Sequence, residues 1–376
     1  MNVTSFGAVC DGVTDDTAAI QAALDYAAGN NGGVVRFPAA KIKLVGRIIV
    51  ADQVDLLGAG MTATTILCAS SGSGVAFSDN LTHTPNPRRG RSGHFNVQGA
   101  NVALNPVSMG YQTACLFERI KVTGAADVGI KIAEVQNSSF VGLEVSGSGN
   151  TNMTIDLTSR TLGFYDCILS GAGNAGLRIL QSAMPLNAGG PRCSKLHFSG
   201  GLIEGVANGP AILIEAGTDI LFDAMKTSGS GVRLVRANNQ QVQRITLRHL
   251  ELQAATKGIG LEVKGGLASD PIQVYLESGV LFSSGACAIE TDDAALIHAT
   301  DYVQAPEVPT FWRNSGTLPM DRVVRDLGKR QSALTPANIN AVDATYGAEE
   351  AAVIQSLRAR LNEMEARLKN SGLLNP

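Results

Sequence analysis

Phe140-Val141-Gly142-Leu143-Glu144-Val145 and Phe164-Tyr165-Asp166-Cys167-Ile168-Leu169 repeat one phrase: apolar, two others, apolar, one other, apolar. The phrase recurs upstream as Phe117/Ile120/Val122 and downstream as Phe222/Met225/Thr227 and Leu247/Leu250/Leu252. A Gly-, Ser- or Ala-rich turn follows each copy. Then comes a second short strand: Gly129-Ile130-Lys131-Ile132, Met153-Thr154-Ile155, Gly176-Leu177-Arg178-Ile179, Gly231-Val232-Arg233-Leu234 and Gly260-Leu261-Glu262-Val263. The spans Phe198 to Ile214 and Ile272 to Ile289 fit as further copies in a shifted register. Successive second strands begin about 20 to 35 residues apart, the period of a solenoid. Long strands alternating with helices, the mark of βαβ architectures, are absent.

The pattern predicts an all-β fold, a right-handed parallel β-helix in which inward residues stack about 4.8 Å above one another. Composition agrees, because 42 of 376 residues are glycine, about 11% against a usual share near 7%. Sharp corners on every coil call for small residues. The expected divisions are a cap over 1–40, the β-helix over 41–300, a Pro-containing linker over 301–345 and a coiled coil over 346–370.

Working outward, one segment before the repeats reads as a helix. Thr14-Asp15-Asp16 supplies a start, Ile20, Ala23, Leu24 and Ala27 make one apolar stripe, and Gly29-Asn30-Asn31-Gly32-Gly33 stops it. The whole opening, Phe6-Gly7-Ala8-Val9-Cys10-Asp11-Gly12-Val13-Thr14-Asp15-Asp16-Thr17, then Gly32-Gly33-Val34-Val35-Arg36-Phe37-Pro38-Ala39 and Leu56-Leu57-Gly58-Ala59-Gly60, resembles that of the pectate-lyase-like β-helix superfamily. That set includes phage tailspikes, glycan depolymerases and polygalacturonase-like hydrolases. The resemblance covers about the first 67 residues and departs at Ala40-Lys41-Ile42, where the family usually turns through Gly-Thr-Tyr. It implies a helix that covers the open first coil, and it bears on fold more than on activity.

Near the other end, Ile354, Leu357, Leu361, Met364 and Leu368 alternate by three and four, as the a and d positions of a short coiled coil. Arg360 and Glu365 then take the g and e positions that pair between helices. The combination resembles a trimeric phage tailspike or tail fibre and implies a homotrimer. It implies as partners a bacterial surface polysaccharide and a phage tail or baseplate protein, with the chain made in the host cytoplasm and carried in the virion.

Thirty Lys+Arg against 33 Asp+Glu, with no long run of one sign, argue against nucleic acid. The start Met1-Asn2-Val3-Thr4-Ser5 carries no basic and apolar leader, and no apolar run is long enough to span a bilayer. The six cysteines are scattered and read as reduced, mostly buried thiols. No cofactor or metal motif is present: Asp11, Asp15 and Asp16 lack calcium-loop spacing and read as helix-start residues.

Hydrolysis of a glycan calls for two carboxyl groups across one bond. Glu204, Asp223 and Glu251, with Asp166 in reserve, are the candidate acids. Asp166, Asp223 and His249 fall near one corner, with His249 a candidate sugar contact. In one outward column the alignment pairs Lys121 with Glu144 and Lys226 with Glu251, which read first as charge ladders. The segment Asn80 to Tyr111 offers His83, Arg88, Arg89, Arg91, His94 and Tyr111 as a basic lip for a uronic acid. The resemblance therefore implies a spike that binds and hydrolyses bacterial surface polysaccharide. A lyase acting on uronic-acid glycans and a non-catalytic spike are the alternatives, the second favoured by only 11 Phe, 6 Tyr and 1 Trp.

Overall fold

The computed structural model describes residues 1–314, apart from 52, 78–89, 182–192, 237–239, 255–257, 267–269, 293–294, 300–302 and 305–307, together with 324–327. They form two parallel sheets, one of 20 strands and one of 11. The smaller sheet takes one strand from each coil, and its register stacks Val107, Ile130, Met153, Leu177, Ile212, Val232 and Leu261. A parallel β-solenoid is thus what the spacing encodes.

The repeated phrase lies in the larger sheet, and its first apolar position is a column of rings. Phe117, Phe140, Phe164, Phe198 and Phe222 stack with centroids 5.2, 4.6, 4.5 and 4.8 Å apart. These spacings match the separation of neighbouring parallel strands, so backbone hydrogen bonding and ring contact are satisfied together. Phe198 pairs directly with Phe164 and Phe222. The shifted register expected for that coil is therefore corrected. The phrase is in phase, with Gly201 standing where an apolar residue stands elsewhere.

The two residues between the first and second apolar positions have a physical reason. The second of them adopts a left-handed backbone in coil after coil, at Arg119, Asp166, Ala224, His249 and Ser278 among non-glycines and at Gly142 and Gly200. That conformation bends the strand and turns both apolar neighbours inward. A further left-handed column, Gly124, Gly147, Gly171, Gly205 and Gly229, closes the phrase. The glycine excess resides at such corners.

The helix spans Thr17–Gly29, and Ile20, Ala23, Leu24 and Ala27 join the common core. Of the three acids at its start, only Asp15 reaches it, accepting from the Thr17 amide at 3.1 Å. Asp16 makes no side-chain cap bond. Its buried carboxylate accepts instead from the Val9 and Cys10 amides, at 2.7 and 3.1 Å. Asp11 closes its own turn on Val13 and Thr14.

Strands Val303–Gln304, Thr310–Asn314 and Val324–Leu327 extend the sheets, and the compact unit runs to Gly328. The solenoid thus continues into the stretch expected as a linker, and Phe311-Trp312-Arg313 lies in a strand paired with Cys287–Thr291. The heptad residues Ile354, Leu357, Arg360, Leu361, Met364, Glu365 and Leu368 lie outside the described residues. None of the six cysteines is in a disulfide, and five are buried. Among the described residues no helix is long and apolar enough to cross a membrane.

Candidate functional site

Alternation along each strand sets which side chains face outward. On the larger sheet the outward column after the ring runs Glu118, Val141, Tyr165, Ser199, Asp223, Arg248, Glu277. Charged residues therefore stand at both ends of this face and small or apolar ones in the middle.

The expected ladders are present, Lys121 to Glu144 at 2.8 Å and Lys226 to Glu251 at 3.0 Å. Between them in the same column stand Ile168 and Leu202. Glu251 is thus neutralised by a partner on the previous coil.

Asp223 is the most strongly held acid on this face. Its Oδ2 accepts from Arg248 Nη2 at 2.8 Å and its Oδ1 faces His249 Nδ1 at 2.9 Å. Arg248, with His249 adding to it, holds the carboxyl down at about 2. Asp166 takes a left-handed backbone at the bend, φ 52°, and is exposed. It leans over the next coil, its Oδ1 2.5 Å from where a Cβ on Gly200 would lie. One coil farther on stands Asp223, opposite Ser199. Two coil spacings, about 10 Å, separate the two backbones along the axis; Asp166 leans toward Asp223, while both Asp223 oxygens turn to Arg248 and His249 on the coil beyond. The floor between them is Ser199-Gly200-Gly201.

Glu204 pairs with Ser228, so it stands five residues along the strand from the position opposite Asp223. The structure brings Asp223 and His249 together, leaves Asp166 two coils away across the glycine floor, and leaves Glu204 and Glu251 apart from both.

The basic lip is not a free one. Arg91–Gln98 and Val107–Gly110 are regular strands of the two sheets. Arg91 and His94 both bind Glu118, His94 at 2.7 Å. Burial pushes the Glu118 carboxyl up, and these two bonds outweigh it, leaving it below its ordinary range. Tyr111 sits beyond the end of a strand of the smaller sheet, with its phenol pushed up by burial and by Glu134. His83, Arg88 and Arg89 lie outside the described residues. A shallow hollow of about 510 Å³ near Asp55 and Arg91 is several coils from Asp223, and there the Arg91 amide already binds Asp55.

Residues that the phrase alignment passed over complete the face. Asp219 is held by Arg244 on the next coil, with Nη2 to Oδ2 at 2.8 Å. This pair repeats Asp223 to Arg248 four residues earlier, and both span 25 positions. An Asp-x-x-x-Asp stretch followed one coil later by Arg-x-x-x-Arg was a readable signal. His197, Leu221, Thr246, Tyr275 and His298 form the outward column between the two pairs and beyond them. The smaller sheet carries another network, in which Lys264 reaches Glu262 and Glu290 at 2.7 and 2.8 Å, with Arg233 and Arg313 beside them. Among the described residues no cluster of three or more His, Cys, Asp or Glu is arranged to hold a metal.

Comparison with known proteins agrees with this architecture. Mannuronan C5-epimerase AlgE2 of Azotobacter vinelandii is 44% identical over 72 aligned positions, covering 17% of this chain and 7% of its own length. The chain spans between 4% and 13% of the relatives it matches in sequence. The A-module of mannuronan C-5 epimerase AlgE4 from the same organism superposes with a TM-score of 0.61 at 17% identity, over 85% of this chain and 99% of that one. Tailspike protein gp49 of Acinetobacter baumannii bacteriophage Fri1, a capsular polysaccharide depolymerase, superposes at 0.58 and 12% identity, over 86% of this chain and 64% of that one. Identities this low speak for the fold alone. A family model described as rhamnogalacturonase A/epimerase, pectate lyase-like, matches residues 1–188, half of the sequence, and the chain belongs to that family.

Proposed function

We propose that this chain is a phage tailspike or tail-fibre protein that binds bacterial surface polysaccharide along the outward face of the larger sheet and hydrolyses it between Asp166 and Asp223. The observation that carries this reading is the placement of two carboxyl groups two coils apart across a glycine floor. It suits inversion, where a water must fit between carboxyls about 6.5 to 9.5 Å apart. Asp223, ionised above about pH 2, takes a proton from that water as it attacks the anomeric carbon and stabilises positive charge on the sugar ring. Asp166 protonates the leaving oxygen. Glu204 and Glu251 lie outside this pair. The helix Thr17–Gly29 shields the first coil's strand edges, and the heptads after Ile354 hold three copies together.

The test is incubation with capsule, exopolysaccharide and O-antigen from sensitive hosts, followed by size-exclusion chromatography. Shortened chains with new reducing ends are expected, absent in Asp166→Asn and Asp223→Asn. Full activity in both variants refutes the assignment, and no fragments from a bound glycan would refute the enzyme. Deleting 354–369 should lower the mass in light scattering to that of one chain.

Elimination is the second reading, favoured by the identity with mannuronan epimerases over 72 aligned positions. New ultraviolet absorbance from an unsaturated uronate in the products marks that outcome.

A further inference from the structure

Tyr275 and His298 stack outward on the larger sheet, with ring centroids 4.8 Å apart and planes 13° from parallel. His298 covers one face of the phenol. The opposite face looks toward the preceding coil, where the residue in register is Thr246, a side chain too short to cover a ring. Above Thr246 the column continues through Leu221 to His197, and Tyr165 lies edge-on to that imidazole, centroids 6.0 Å apart. Aromatic groups thus stand above and below a short apolar step.

The flanks of the step are charged but balanced. Asp219 and Asp223 lie two residues either side of Leu221, and Arg244 and Arg248 two residues either side of Thr246. Each aspartate is ion-paired to the arginine below it. These two anions and two cations sum to zero, with Lys195 adding a cation near Asp219, so each guanidinium is already neutralised before a ligand arrives. A paired Asp–Arg edge still offers acceptors and donors together, which suits vicinal hydroxyls. A uronate there would meet Asp219, Asp223 and, beside Arg248 on the next coil, Glu277.

We propose that the step over Thr246, between Leu221 and the open face of Tyr275, is a subsite for one neutral pyranose, a hexose or N-acetylhexosamine, stacked on Tyr275 and hydrogen-bonded to the two Asp–Arg pairs. The coil spacing of about 4.8 Å leaves the thickness of one sugar ring above the phenol. The subsite rests on the glycan-binding reading above and adjoins Asp223, so the polymer passes from Gly200 toward Tyr275 along the solenoid axis. It assigns a neutral residue to this position, unlike the mannuronan of the epimerase relatives' names.

The test is saturation-transfer NMR on the full chain with methyl glycosides of glucose, galactose, mannose and N-acetylglucosamine, and with those of glucuronate and mannuronate. Signal on the ring protons of at least one neutral glycoside is expected, reduced at least tenfold in Tyr275→Ala and in Thr246→Trp, which fills the step, and kept in Asp166→Asn. Circular dichroism verifies that the variants fold. Uronates giving the stronger signal, a neutral signal unchanged in either variant, or no neutral signal would each overturn the proposal. The hydrolytic assignment fails separately: if Asp166→Asn still shortens glycan while Tyr275→Ala loses the sugar signal, the subsite stands and the catalytic pair does not.

Discussion

Arg248 holds Asp223 across one coil step, Nη2 to Oδ2 at 2.8 Å, and Arg244 holds Asp219 in the same way four residues earlier. Both carboxyls are drawn below their ordinary 3.8 by these guanidinium bonds, Asp223 to about 2. A carboxyl whose folded value is lowered contributes stability that is complete above its unfolded value and is lost as pH falls toward the folded one. The melting temperature should therefore respond to these pairs between about pH 4 and pH 2. Arg248→Met should lower it at neutral pH and flatten that acid limb, which a melting series in pH measures.

Gly200 sits at φ 70° beneath Asp166, and an added Cβ would lie 2.5 Å from Asp166 Oδ1. Gly200→Ala must displace that carboxylate and strain a left-handed backbone at once. We expect glycan cleavage to fall at least tenfold, with a loss in stability of about 1 to 2 kcal/mol, measured by turnover and urea denaturation of the same sample. Unchanged cleavage would separate Asp166 from the chemistry.

Thr227 is fully buried in an inward column between Ile203 and Leu252. Its Oγ1 is buried without a hydrogen-bond partner. Thr227→Val keeps the shape and removes the unpaired hydroxyl, so it should stabilise the fold by about 1 kcal/mol. A rise in melting temperature is the expected reading.

Surface and buried ladders should differ. Glu144→Gln breaks a half-exposed pair and should cost under about 1 kcal/mol. Glu290, with a side chain only 6% exposed, answers Lys264 and Arg313 together. Glu290→Gln removes the carboxylate shared by Lys264 and Arg313, of which Lys264 keeps Glu262, and should cost about 2 kcal/mol. Thermal melts of the two variants side by side test the contrast.

The solenoid was legible because its core repeats in phase: each phrase places a ring or an aliphatic residue in one stack, and sequence spacing alone carries that. Lys121 with Glu144 and Lys226 with Glu251 followed from the same alignment. The coil from Phe198 to Glu204 escaped it because Gly201 fills an apolar slot, where small size rather than hydrophobicity suits the bend. The span beyond Ile272 does contain an irregularity, since pairing slips between Leu252 and Gln253. The candidate site was harder to read. Asp166 stands on a left-handed bend two coils from Asp223, and whether an acid is free or held depends on a partner one coil away, as with Arg248.

The stack of phenylalanine rings has a consequence for how such a chain changes length. Val141 to Phe164 is one complete coil, because Phe140 pairs with Phe164 and Val141 with Tyr165. Excising it would join Phe140 to Tyr165, putting Tyr165 where Val141 stood, with Phe198 next in the stack. Gain or loss of such a unit leaves the core in phase while shifting every outward group beyond the junction by one step of about 4.8 Å. The interior thus fixes the increment in which the exterior can vary, and the reach of the outward face along a polymer grows or shrinks by whole coils.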